Sequence, residues 1–447
     1  MKENQLVSVN LISTYPIQTW SEPDNEGKTV IDAIANAQYS IDISIYELGG
    51  PHIVNALIAA KSRGVYIRIM FNGQFFVKDK SDQLKYQQQT EVSKSLLAAP
   101  GTNQVETHWS CNNFNITHQK TIIIDARKAV IPGDVTVNRK ALVMTLNLSA
   151  YQWLPGNEDL EKYKFWGNGY PNTAPGTRDF GVVLSEPELV NKIQSIFDSD
   201  FNCAPGNQTN DLATSNDGLV WSNGSTGFSK EGYYPSMGAY PSFDQRPQDV
   251  VDQGNSRKAH MAVIKQAKYS LIIYNEEMND QEIVNAIVQA AESGVKVRVL
   301  MTEGNKNNKL FDELYKANVE IRLFRNATST TANKPEYMYI HAKMILADYG
   351  EDTAIAYVGS ENISGNSLNF NRELGVIISG SKDNQLFSET FESDWKTEGL
   401  MNWHDYASGA ISEKYDETIR SHHKYYPAGN ESETTIPPMP CGPVIKQ

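Results

Sequence analysis

Two short stretches hold the residue types that chemistry needs. The first is His118-Gln119-Lys120 followed by Thr121-Ile122-Ile123-Ile124-Asp125; the second is His341-Ala342-Lys343 followed by Met344-Ile345-Leu346-Ala347-Asp348. In each, an imidazole and an ammonium stand two residues apart and lead into an apolar run. On a strand, residues i and i+2 share a face, so both groups would project together while the run anchors the strand in a core. Further along, Thr145-Leu146-Asn147 parallels Ser360-Glu361-Asn362, and Arg178-Asp179 parallels Arg372-Glu373. Each copy therefore offers one imidazole, one cation, one amide and one late carboxylate, in the same order.

That set suits a phosphodiester. One imidazole can attack phosphorus while the other protonates the departing alkoxide and later takes the proton of the incoming water or alcohol. Two lysines and two asparagines can hold the non-bridging oxygens and stabilise the charge of the pentacoordinate state. A carboxylate on the far nitrogen of each histidine would set its tautomer and orientation. Fixed cations and amide dipoles would do the electrostatic work that a metal does elsewhere, so neither metal nor cofactor is expected. Isolated histidines are usually core or surface residues; His52, His108, His260, His404 and the pair His422-His423 are read that way. Arg178 and Arg372 are read as structural ion-pair partners.

The elements that must position these groups come twice. Ala37-Gln38-Tyr39-Ser40-Ile41 matches Ala267-Lys268-Tyr269-Ser270-Leu271, Ile53-Val54-Asn55-Ala56-Leu57 matches Ile283-Val284-Asn285-Ala286-Ile287, and Gly64-Val65 matches Gly294-Val295, all 230 positions apart. Such a constant shift marks an internal repeat. Within it, Ile31 to Ala37 and Ala259 to Ala267 have helical spacing, and Ser40 to Tyr46 and Ser270 to Tyr274 read as buried strands. Amphipathic helices follow over His52 to Arg63 and Glu282 to Ser293, stopped by Gly64 and Gly294, and then strands over Val65 to Phe71 and Val295 to Met301. Strands alternating with helices predict α/β halves with a parallel or mixed sheet, facing each other across a pseudo-twofold axis. The expected division is 1–203, an inter-half segment and loop over 204–254, 255–400, and a tail over 401–447. Trp20-Ser21 is aligned with Trp221-Ser222, a shift of 201.

Two stretches interrupt the repeat, from about Tyr151 to Gly176 and from about Asn223 to Gly254. Both are rich in Gly, Pro, Asn and aromatics, and are read as substrate walls or as passive loops. Among 447 residues the formal charge is −13, without a cluster of Lys or Arg beyond scattered pairs. That counts against an extended nucleic-acid footprint and against polybasic docking on anionic membranes. No run approaches the about 18–20 apolar residues that span a bilayer, and no signal peptide is recognised at the start. Cys111, Cys203 and Cys441 fit no metal or redox spacing. Abundant Asn, Ser, Thr and Tyr with few lysines lean toward an exported protein.

The paired His-x-Lys-x-x-x-x-Asp motifs, with the Asn and Glu/Asp positions that follow, resemble the phospholipase D superfamily over roughly residues 8–396. The resemblance implies two tandem α/β/α sandwich halves with the active site at their interface, and a ping-pong displacement through a phosphohistidine without metal. It implies His118 as nucleophile, His341 as general acid and base, and Lys120, Lys343, Asn147 and Asn362 as phosphate ligands. Asp179 and Glu373 would orient the histidines; Asp125 and Asp348 look structural. The second copy keeps Gly359-Ser360-x-Asn362, whereas the first reads Met144-Thr145-Leu146-Asn147; Thr145 and Ser360 are both placed against substrate. The first copy also has 21 residues between Asp125 and Asn147, against 13 between Asp348 and Asn362, which suits unequal jobs for the two histidines.

Within that superfamily the expected activity is a phospholipase D that releases phosphatidate and a headgroup alcohol and transfers phosphatidyl groups to added alcohols. Its partner would be a phospholipid at a membrane or micelle surface, met by a monomer with no stable hold on nucleic acid. A metal-independent nuclease and a cardiolipin synthase-like phosphatidyltransferase are the alternatives.

Overall fold

The computed structural model describes residues 15–73, 80–102, 105–110, 114, 116–133, 137, 139–149, 176–202, 219–222, 256–304, 308–326, 334–408 and 442–444. Residues 151–175 and 223–254, the three cysteines and His422-His423 lie outside them, as does part of the mixed-charge run Lys78 to Lys85.

The first half contributes strands β1 (Gln18–Glu22), β2 (Ser40–Ile45), β3 (Tyr66–Phe71), β4 (Val105–Trp109), β5 (Thr121–Ile124), β6 (Lys140–Met144) and β7 (Asp179–Leu184). The second contributes β8 (Leu219–Ser222), β9 (Ser270–Tyr274), β10 (Lys296–Thr302), β11 (Glu320–Phe324), β12 (Met344–Ala347), β13 (Ile355–Gly359), β14 (Glu373–Ser379) and β15 (Met401–Asn402), and β16 (Gly442–Pro443) follows near the end. They form two eight-stranded sheets, β1-β7-β6-β5-β2-β3-β4-β16 and, read from the matching edge, β8-β14-β13-β12-β9-β10-β11-β15. Both are mixed. β2, β3 and β4 run parallel, as do β9, β10 and β11, while the motif strands β5 and β12 pair antiparallel to their neighbours.

The repeated helices are α1 (Lys28–Asn36) and α2 (Pro51–Ser62), matched later by Ser256–Gln266 and Gln281–Glu292. Gly64 and Gly294 follow α2 and its counterpart with φ of 92° and 94°, a left-handed stop that a residue without Cβ accepts at little cost. These helices cover the outer face of each sheet. Strand alternation sends Ile41, Ile43, Ile67 and Ile69 to that outer core, and Met70, Ile123, Val143 and Val182 to a shared inner one. The shared core also takes Tyr274, Met344, Val358 and Val376 from the second half, together with Phe197 and Phe201 of the helix Pro187–Phe201 and Phe387 and Phe391 of the helix Ser381–Trp395. One apolar core thus binds the halves into one body, which fixes whatever lies at their joint.

Three edges differ from expectation. Strand β8, expected inside the inter-half segment, is the edge of the second sheet. The tail expected from 401 onward begins with β15 on β11, and β16 returns to β4 of the first sheet. In the third case the register slips by one: Glu22 faces Asp179 and Ser222 faces Glu373, so Glu22, not Ser21, stands where Ser222 does. A one-residue slip changes every partner on a strand, so in register Trp20 matches Val220 rather than Trp221. Trp20 instead covers Gly181, where an added Cβ would stand 2.1 Å from its ring.

Candidate active site

His118 and His341 each precede their motif strand and are held there by the other half. The carbonyl of Arg372 accepts the N–H groups of His118 and Gln119 at 2.8 Å, and the carbonyl of Arg178 accepts those of His341 and Ala342 at 3.1 and 2.8 Å. Each arginine is followed by the carboxylate that reaches the same histidine. Glu373 lies 2.9 Å from His118 Nδ1, and Asp179 lies 2.8 Å from His341 Nδ1. The carboxylates therefore cross the joint, and each imidazole presents Nε2 for chemistry.

The guanidinium groups cross it too. Arg178 bonds Asp394 at 2.7 and 2.9 Å, while Arg372 bonds Asp200 through two bonds of 2.7 Å. Both arginines are structural staples, as their sequence setting suggests.

Lys120 and Lys343 are wholly buried, and each donates to the carbonyl two residues back, at 2.6 Å to His118 and 2.5 Å to His341. Burial, and then the like charge of Lys343, pushes the Lys120 ammonium down to about 7 although Glu373 opposes this. Burial likewise lowers the His118 imidazole to about 4, with Lys120 and Lys343 adding to the effect and Glu373 resisting it. His118 is thus a neutral base at physiological pH.

Asn147 and Asn362 sit at the strand ends beyond β6 and β13. Their neighbours Leu148 and Ile363 bridge to Leu48 and Met278, which pins both turns alike. The Oδ1 atoms of both asparagines are buried without a partner among the described residues. Asp125 and Asp348 are structural. With φ of 53° and 52°, they accept backbone N–H bonds from residues 38–40 and 268–270 and tie the far ends of β5 and β12 to β2 and β9.

Thr145 and Ser360, expected against substrate, are fully buried and bond the carboxylates Asp179 and Glu373. Thr145 donates to Asp179 at 2.5 Å and accepts from Phe180 N–H, and Ser360 accepts from Leu374 N–H and helps hold Glu373 below its ordinary range. A serine or threonine serves either way, which explains how the first copy tolerates its altered motif. Of the isolated histidines, His108 stacks on Phe201, His260 is buried against Tyr357, and His404 stacks on Tyr315, all away from the motifs.

Sequence reasoning missed Glu276. Its Oε2 accepts from Lys343 Nζ at 2.7 Å and from Asn362 Nδ2 at 3.2 Å, and lies 3.7 Å from His341 Nε2; its Oε1 accepts from Tyr339 at 2.7 Å. Burial would raise this carboxyl, but Lys343 and then His341 hold it well below the usual carboxylate range. The signal was present in the repeat: the position 230 residues earlier is Tyr46, an aromatic set against an acid.

A family model described as "Cardiolipin synthase, PLD-like domain" matches the chain twice, over residues 30–162 and 261–395. The chain belongs to the phospholipase D-like family. Membership makes it a phosphodiesterase-type enzyme, and the two matched segments each contain one His-x-Lys motif. Cardiolipin synthase 1 of Bacillus cereus is 23% identical over 414 residues, covering 90% of this chain and 69% of that protein. Phospholipase D of Rickettsia prowazekii is 28% identical over 124 residues, which is 28% of this chain and 53% of the other. Among solved structures, phosphatidylserine synthase of Haemophilus influenzae shares the phospholipase D-like fold with a TM-score of 0.54 at 11% identity, over 88% of each chain. Among the described residues no helix is long and apolar enough to cross a membrane.

Proposed function

We propose that the chain is a phosphatidyltransferase, which moves the phosphatidyl group of a glycerophospholipid to the hydroxyl of an acceptor alcohol through a phosphohistidine on His118. The crossed pairing of His118 with Glu373 and of His341 with Asp179 carries this reading. It supplies two oriented imidazoles, which a double displacement needs. Neutral His118 attacks phosphorus with Nε2; the bond to the headgroup oxygen breaks, and His341 gives that oxygen its proton. An acceptor hydroxyl then loses its proton to His341 as its oxygen bonds phosphorus and frees His118. Lys120, Lys343, Asn147 and Asn362 hold the non-bridging oxygens, so no metal is assigned a step.

Of the expected readings, the cardiolipin synthase-like transfer is preferred here to a phospholipase D that both hydrolyses and transfers. The kinship to cardiolipin synthases along 90% of the chain supports an alcohol as acceptor, and so does the burial of both histidines, which limits water at the intermediate. The working place is then a membrane or micelle surface. A nuclease would bring the same histidines to another phosphodiester, but the charge of −13 does not favour a polyanion.

The test presents vesicles of phosphatidylglycerol, with and without added ethanol, to the protein in EDTA. Diphosphatidylglycerol, or phosphatidylethanol when ethanol is present, should form with wild type and vanish in His118→Ala. Release of phosphatidate alone would mark a hydrolase. Cleavage of single-stranded DNA without lipid turnover would overturn the proposal.

A further inference from the structure

Beyond the exchanges of Thr145 for Ser360 and Asp179 for Glu373, the two half-sites differ in the group beside the histidine. Where the second half has Glu276, the first has Tyr46, whose ring meets the His118 ring edge-on at a centroid distance of 5.1 Å and an angle of 72°. His341 therefore lies between two carboxylates, Asp179 at Nδ1 (2.8 Å) and Glu276 near Nε2 (3.7 Å). His118 has Glu373 at Nδ1 and an aromatic ring where the second carboxylate would stand. We infer that Glu276 is a positioning residue that divides the work of the two histidines: it aims His341 Nε2 and holds Lys343 beside it while the leaving oxygen takes its proton. The inference rests on the two-histidine transfer proposed above.

An anion within about 4–6 Å stabilises an imidazolium. The other ionisable groups around His341 are Asp179 at Nδ1, Lys343, paired with Glu276, and Tyr339, which bonds Oε1. Glu276 thus places negative charge beside Nε2 and ties Lys343 to the same carboxylate. In the step concerned, the phosphorus–oxygen bond breaks, its electron pair stays on the alkoxide, and the Nε2 proton of His341 neutralises it. Tyr46 cannot supply charge to His118, whose neutrality at physiological pH is what a nucleophile needs.

Leaving groups separate this role from a merely structural one. A glycerol headgroup needs a proton to depart, whereas p-nitrophenolate leaves without one. The experiment measures kcat/KM against pH for short-chain phosphatidylglycerol and for the p-nitrophenyl ester of the same phosphatidic acid. Glu276→Gln should lower kcat/KM for the glycerol ester by about ten-fold or more relative to the nitrophenyl ester. Tyr339→Phe, which loosens Glu276, should do the same to a smaller degree. Equal losses on both esters in both variants would overturn the inference. Turnover of neither ester by wild type would instead sink the proposed function.

Discussion

Arg372 and Asp200 belong to opposite halves, and the guanidinium of one grips the carboxylate of the other through two bonds of 2.7 Å. Arg178 and Asp394 repeat the clasp in the reverse direction. Both arginines also lend their carbonyls to the segments of His118 and His341, so the joint and the paired motifs share one framework. With side chains 2% and 7% exposed, the Arg372–Asp200 pair is out of water. Asp200→Ala strands a buried guanidinium and should cost about 3–5 kcal/mol in urea unfolding. Removing Glu106, whose partner Arg127 is 3.7 Å away at the surface, should cost less than about 1 kcal/mol.

The crossed carboxylates give a second prediction. Asp179→Asn and Glu373→Gln keep the shape of the site but can donate to Nδ1 and so favour the wrong tautomer. Each should lower kcat by about 10³-fold or more, with the unfolding midpoint changed far less. Steady-state phosphatidyl transfer beside circular dichroism melts reads both quantities, and unaltered kcat would refute the orienting role.

The lowered His118 imidazole makes a third. Protonation removes the nucleophile, so the acidic limb of kcat/KM should lie near pH 4 rather than near the usual 6.5. Lys120→Met removes one cause of that lowering and should move the limb upward, alongside a fall in rate. A limb near 6.5 in wild type would show that His118 is far better solvated than its burial implies.

How far the sequence alone reached can be judged from particular residues. The strands Ser40–Ile45 and Ser270–Tyr274, the helices behind them and their glycine stops follow from apolar spacing, and all are present in both halves. The edges were harder. β15 and β16 have two residues each, too few to show any period, and β16 is distant in sequence from the sheet it joins. The one-residue slip at β1 and β8 arose because Trp-Ser occurs at both places while the pleat, not the dipeptide, sets the face. That Thr145 and Ser360 bond Asp179 and Glu373 was not legible, since a motif names a hydroxyl but not the side on which it bonds. Glu276 escaped because searching for matched residues passes over the position where the copies disagree.

A fourth prediction concerns stability. Burial, with the nearby Glu373 charge adding to it, raises the Glu361 carboxyl to about 8. For a group raised on folding, the stabilisation is full below its unfolded value near 4.5 and is lost as pH rises through about 8. Wild type should therefore lose melting temperature between pH 6 and 9 more steeply than Glu361→Gln. Parallel melting curves across that window would show that Glu361 is ionised in the fold throughout.

The site's central claim is a covalent bond between phosphorus and one particular nitrogen atom. Short-chain phosphatidylglycerol mixed with the enzyme, quenched in alkali to preserve phosphoramidates, and followed by peptide mass spectrometry, reports it directly. A phosphatidyl adduct should appear on the peptide containing His118 and be absent in His118→Asn. An adduct on the His341 peptide, or steady turnover with none on either, would contradict the assignment.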